Sequence, residues 1–178
     1  VSALLRTANG AWAHRDDPGE PGWGDKPRWS VTPREAGILG ALARGRVVLE
    51  IGTGLGISTA ALAAAAERVL TVDIDPWVAV TVAPGLPANV AFYADRAALP
   101  ADARWSLAFI DGYHHCAAVS EDIRFARARL ERPGLIVLHD GRMPHVQFGM
   151  EQAKVDLGTA FPMATEAGLI LISVSGAR

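Results

Sequence analysis

The stretch Leu49-Glu50-Ile51-Gly52-Thr53-Gly54-Leu55-Gly56-Ile57-Ser58-Thr59 constrains the fold more than any other part of the chain. An apolar run, Val47 to Leu49, meets an acid at Glu50, and glycine then occupies every second position. A helix-compatible stretch, 57–67, follows at once. A buried strand that turns sharply into a helix has this pattern, with glycine keeping the backbone open to a ligand. The next apolar run ends in Val72-Asp73-Ile74-Asp75-Pro76, which puts a carboxylate at the tip of a second strand. A glycine loop beside a strand-end acid is the geometry that holds a nucleoside, the acid taking the ribose hydroxyls.

The rest of the chain extends this α/β pattern. Thr32-Pro33-Arg34-Glu35 opens a helix with a capping box and a proline at its first position. Strands are expected at 46–51, 68–73, 89–93, 105–110 and 134–139. Between them fall helices at 57–67, from Pro76, at 117–131 and from Pro144 to Leu157. Two closing strands, 161–165 and 169–175, flank Glu166-Ala167-Gly168 and form an antiparallel hairpin. The expected architecture is a single Rossmann-like, doubly wound sheet of about seven strands, mostly parallel. Residues 1–31 are expected to form an irregular N-terminal arm or lid, and 32–178 the cofactor-binding domain. The arm carries Trp12, Trp23 and Trp29, which read either as a lid over a bound molecule or as packing against the core or a second subunit.

Composition narrows the function. At 178 residues one domain with a real core is expected. Half the residues are hydrophobic, yet no apolar run reaches the length of a membrane helix, and no signal peptide is apparent. The single cysteine, Cys116, excludes an internal disulfide and fits a reducing, cytoplasmic setting; its own role is expected to be structural. Acidic and basic residues, 19 and 17, are spread along the chain, so no basic face for nucleic acid is expected. The expected partners are a small hydroxylated molecule and, given the arm, a second copy in a homodimer.

Dinucleotide enzymes favour G-x-G-x-x-G, whose helix N-terminus faces a pyrophosphate. Here the spacing is G-x-G-x-G with an acid two residues ahead, which suits a cationic ligand. In these residues the chain resembles the class I S-adenosylmethionine-dependent methyltransferases, whose first motif is E/D-x-G-x-G-x-G. The resemblance spans roughly residues 32–175 and includes the terminal hairpin. It implies S-adenosyl-L-methionine as cofactor, held by Glu50, Gly52, Thr53, Gly54, Gly56, Ser58, Asp73, Asp95 and Asp111. Asp95 also reads as a helix N-cap. A nicotinamide-dependent oxidoreductase on the same fold is the enzymatic alternative.

Two further acids end strands. Asp111 follows 105–110 and Asp140 follows 134–139. On neighbouring strands, about 4.8 Å apart, their carboxylates converge and repel unless a cation or a shared proton intervenes. Phe109-Ile110-Asp111-Gly112-Tyr113-His114 and Val137-Leu138-His139-Asp140-Gly141 resemble the metal-dependent catechol-type O-methyltransferases, and more closely a bacterial branch with Ile-Asp-Gly-x-His. The resemblance implies O-methylation of a small molecule. Asp111 and Asp140 would hold Mg2+, or Mn2+ or Ca2+, which also holds the acceptor oxygen. Gly141 stands where the catechol-type enzymes carry an asparagine as third ligand, and His114 where they carry a lysine base. His114 is therefore the candidate general base beside Asp111. It also reads as a ligand to a softer metal such as zinc, with Asp111, His139 and Asp140, or as a surface residue. His139 itself is expected to point away from Asp140, and His145 to lie near an acceptor. The Asn/Asp-Pro-Pro-aromatic motif of base-amine methylation is not present at Ile110-Asp111-Gly112-Tyr113. Gly141 leaves open a scaffold that binds the cofactor without catalysis.

Overall fold

The computed structural model describes residues 4–6, 12–14, 31–153 and 158–175. Strands β1 (Leu4–Arg6) and β2 (Trp12–His14) pair antiparallel as a separate ribbon. The side chains of 1–30 lie outside the described residues, and with them the lid-or-packing question for the three tryptophans.

The main sheet has seven strands. After helix α1 (Pro33–Ala43) come β3 (Val47–Ile51), α2 (Ile57–Ala63), β4 (Arg68–Val72), α3 (Pro76–Thr81) and β5 (Val90–Tyr93). Then follow β6 (Trp105–Ile110), α4 (Cys116–Ala128), β7 (Leu130–Leu138), α5 (Pro144–Gln152), β8 (Thr159–Pro162) and β9 (Ile170–Val174). The spatial order is β5-β4-β3-β6-β7-β9-β8. The pairs among β3 to β7 are parallel, and those of β9 with β7 and β8 antiparallel. The expected doubly wound sheet with its terminal hairpin is therefore observed.

The period-two alternation of each strand separates two cores. Val48, Leu107, Phe109 and Val137 pack under α1 and α2, while Leu49, Ala108, Ile110 and Leu138 pack under α4 and α5. Among the described residues, no helix is long and apolar enough to cross a membrane.

Three boundaries differ from expectation, each at an identifiable place. Helix α4 stops at Ala128 and β7 already begins at Leu130. Pro133 drives Arg132 to extended backbone, so the segment joins the sheet early, with a register shift between Trp105 and Leu107. The hairpin strand β8 ends at Pro162 rather than 165. There the buried Thr165 turns the chain, its Oγ1 accepting the Gly168 and Leu169 N–H groups at 3.2 and 2.9 Å. Helix α2 ends at Ala63, four residues short of expectation.

Candidate active site

The strand register lines up the site. Beyond the last paired residues, the ladder continues for one step across four strands. Asp73 N–H reaches Tyr93 O, Gly52 N–H reaches Val72 O, Asp111 N–H reaches Ile51 O, and His139 N–H reaches Ile110 O, all at 2.8–3.1 Å. Asp73, Gly52, Asp111 and His139 thus form one row along the carboxyl edge of the sheet, where open α/β sheets bind ligands.

The glycine loop is held tightly. Gly52, Gly54 and Gly56 have φ of 96°, 47° and 76°, the left-handed region that glycine enters without strain. A Cβ on Gly52 would collide with the backbone carbonyl of Asp111, so the loop and the end of β6 touch directly. Asp73 is a clasp: its Oδ2 accepts the Gly54 N–H and its Oδ1 the Asp75 N–H, both at 2.9 Å. Asp95, exposed after β5, caps a single 3-10 turn by accepting the Ala97 N–H at 2.8 Å.

Glu50 lies beneath the loop rather than on its open side. It is fully buried, and accepts hydrogen bonds from Ser58, Thr59 and Thr71 at 2.7, 2.6 and 2.6 Å. Thr53 extends this chain through its hydroxyl contact with Thr71 at 2.6 Å. Burial raises the Glu50 pKa to about 7 against the pull of the three hydroxyls, and Asp111 adds to the rise. A raised folded-state pKa favours the protonated native state. Between pH 4.5 and 7, therefore, the unfolded chain has released a proton that the native protein keeps. Relative to Glu50→Gln, wild-type stability is expected to fall by about 3 kcal/mol across this window and to level off above the folded pKa. Urea unfolding of both proteins at several pH values measures this, and parallel curves would contradict it.

The acids after β6 and β7 do converge, and two histidines lie between them. His114 Nε2 is 3.4 Å from both Asp111 Oδ1 and Asp140 Oδ2. His139 Nδ1 is 3.1 Å from Asp111 Oδ1 and 3.3 Å from Asp140 Oδ2, while its Nε2 is 3.5 Å from Glu35 Oε2. The expectation that His139 points away from Asp140 is corrected here. His139 shares the face of Asp111 by register, and Asp140 adopts φ 51°, which breaks the alternation and swings its carboxylate back to the same side. Sequence reasoning also passes over Glu35 as anything but a cap. The available signal is the register of His139 one step past Leu138, level with Asp111.

Charge dominates this cluster. Burial alone would raise the Asp111 pKa, but His114 and His139 outweigh it and hold the carboxyl below its usual range. His114 is raised, first by its contact with Asp111 and against partial burial. Burial opposes protonation of His139, yet Asp111, Asp140 and Glu35 together push its pKa up to about 12. Three carboxylates outnumber two imidazoles, so the cluster stays anionic even with both rings protonated. The His139 side chain is 93% buried, and neither ring nitrogen has a hydrogen-bond partner of good geometry. Asp111, His139 and Asp140 each offer a donor atom, all within 4.8 Å of one another. Two carboxylates beside an imidazole whose ring nitrogens lack hydrogen-bond partners are a donor set that fits a divalent cation.

The model of the family described as "Methyltransferase domain" matches residues 49–141, from the strand before the glycine loop through the second acid. The chain belongs to this family. Membership sets aside the oxidoreductase reading, and the matched segment of the methyltransferase covers both halves of the site.

No curated protein matches the methyltransferase significantly. Solved structures share its fold. The O-methyltransferase TomG from Streptomyces achromogenes, involved in tomaymycin synthesis and solved with S-adenosylmethionine, is 23% identical, with 85% of this chain and 84% of that one covered and a TM-score of 0.69. An O-methyltransferase from Bacillus cereus, solved with S-adenosylhomocysteine, is 20% identical, with 84% of each chain covered and a TM-score of 0.68. A precorrin 8w decarboxylase from Methanobacterium thermoautotrophicum is 19% identical over 83% of this chain and 92% of its own, with a TM-score of 0.58. One fold thus carries different reactions, and the acceptor chemistry has to be argued from the site.

Proposed function

We propose that the protein transfers a methyl group from S-adenosylmethionine to a hydroxyl oxygen of a small molecule, with a divalent cation held by Asp111, His139 and Asp140. The observation that carries this reading is the Asp-His-Asp cluster at the ends of the paired strands β6 and β7, with His139 buried between half-buried Asp111 and Asp140 and β6 lying beside the strand that leads into the glycine loop. Gly52, Thr53, Gly54 and Gly56 form the cofactor's bed, Asp73 takes the ribose hydroxyls, and Asp95 the adenine amine. Glu50 and Ser58 support the loop from below through their mutual hydrogen bond. Asp111 touches the loop through its carbonyl and the cluster through its carboxylate, which joins the two halves.

The cation would lower the acceptor's hydroxyl pKa and fix its oxygen. One imidazole with two carboxylates favours manganese or zinc over magnesium or calcium. With Asp111 and Asp140 engaged as ligands, their hold on the His114 proton would weaken, and His114 Nε2 would be the group placed to accept the hydroxyl proton. An O–CH3 bond forms as the S–CH3 bond breaks in line behind it, leaving S-adenosylhomocysteine, the methylated product and a proton on His114. Positioning supplies much of the rate.

The scaffold alternative rests on Gly141. A side chain there would collide with Ile170 and the Gly168 carbonyl, which accepts the Gly141 N–H at 2.7 Å. An asparagine has no room in this backbone, and His139 offers a third donor from the other flank of Asp140.

Calorimetry with S-adenosylhomocysteine and turnover on a panel of phenols and hydroxylated amino acids test the assignment together. Asp73→Ala should weaken cofactor binding about 10- to 100-fold, the value of one or two hydrogen bonds to a charged group. His114→Ala should leave binding intact and slow turnover about 10²-fold or more. Unchanged affinity in the first, or full turnover in the second, removes that residue from its role.

A further inference from the structure

Glu35 sits in the first turn of α1 with none of its surface exposed. Its Oε2 accepts the Thr32 N–H and Oγ1–H at 3.0 and 3.1 Å, and its Oε1 accepts the Ala167 N–H at 3.0 Å. Glutamine could accept on one side only, so these bonds already favour a carboxylate here. A buried negative charge is nonetheless costly unless a positive partner is near. The group that faces it is His139 Nε2, at 3.5 Å. Phe109 packs edge-on against the same ring, with centroids 6.1 Å apart and planes at 73°.

We infer that Glu35 is a positioning residue for the cation site: its carboxylate takes the Nε2 side of His139 and so turns Nδ1 toward Asp111 and Asp140. The inference rests on the metal-assisted reading above. A histidine that binds metal through one nitrogen gives the other to a carboxylate or carbonyl, which fixes the tautomer and makes the ring a better donor. Here that carboxylate comes from the start of α1, while Ala167 ties it to the turn between β8 and β9. The N-terminal helix and the C-terminal hairpin thereby set the orientation of one ligand. Asp111 and Asp140 lie on the Nδ1 side, so neither can serve Nε2.

Mn2+ binding, followed by the paramagnetic resonance of the free ion, tests this with Glu35→Gln and Thr32→Ala. Each variant removes part of the cap and should lower the melting temperature. Only Glu35→Gln should weaken Mn2+, about 10- to 100-fold. Wild-type Mn2+ affinity in Glu35→Gln, or an equal loss in Thr32→Ala, would overturn the inference and leave Glu35 a cap alone. Absence of saturable Mn2+ binding to the wild type would instead overturn the metal-assisted reading, and this inference with it.

Discussion

Asp111→Asn is expected to reduce methyl transfer about 10³-fold or more while leaving a folded protein that still binds S-adenosylhomocysteine. Asp111 is the group on which the cluster turns: its Oδ1 is 3.4 Å from His114 and 3.1 Å from His139. Asparagine keeps its size and can leave its backbone bond to Ile51 in place, but loses one charge. Loss of several kcal/mol of cation-based stabilisation corresponds to that drop in rate. Stability should fall as well. His114 and His139 hold the Asp111 carboxyl below its usual range, so its charge is favourable in the folded state and asparagine forfeits that attraction. Turnover, S-adenosylhomocysteine affinity and melting temperature, measured on the same preparation, separate the two effects. A variant that retained a tenth of wild-type turnover would place the chemistry elsewhere.

Gly52→Ala is expected to be the most damaging single methyl group in the glycine loop. The position combines φ of 96° with a Cβ that would run into the Asp111 carbonyl. Backbone on the other side cannot rotate away as a side chain can. Either the loop lifts or the end of β6 moves, and both displace the proposed cofactor bed from Asp111. A loss of about 3 kcal/mol or more in stability follows, with S-adenosylhomocysteine binding abolished in whatever folds. Gly37→Ala is the control. It lies in the interior of α1 with ordinary φ and nothing within 4 Å of where a methyl would sit, so alanine should stabilise by about 0.5–1 kcal/mol. Equal responses in urea unfolding would show that the loop tolerates what its contacts forbid.

Much of this arrangement is legible from spacing. Apolar runs ending in Glu50, Asp73, Asp111 and Asp140 announce parallel strands with acids at their carboxyl ends, and Thr32 with Glu35 announces the first turn of α1. The pairing of Ile110 with Leu138 then brings Asp111 and the end of β7 side by side. Strand alternation carried one residue too far misplaces His139. Nothing local to His139-Asp140-Gly141 reveals that Asp140 takes φ 51°. That conformation is fixed by the bond from Gly141 to Gly168 and by the lack of room beside Ile170, contacts made between segments far apart in the chain. Glu35 is hidden for the same reason. A capping box is readable from four residues, whereas the approach of α1 to His139 and Ala167 exists only in the folded chain. Glu50 shows its position in sequence but not its depth, which depends on the hydroxyls of α2 and β4 closing over it.

The most direct measurement is a calorimetric titration of Mn2+, followed by Zn2+, Mg2+ and Ca2+, into protein saturated with S-adenosylhomocysteine, repeated on Asp111→Asn and His139→Ala. The account predicts one saturable site with Mn2+ or Zn2+ bound more tightly than Mg2+, lost in Asp111→Asn and weakened in His139→Ala. No binding by any of the four ions, or binding that both variants retain at wild-type strength, would contradict it.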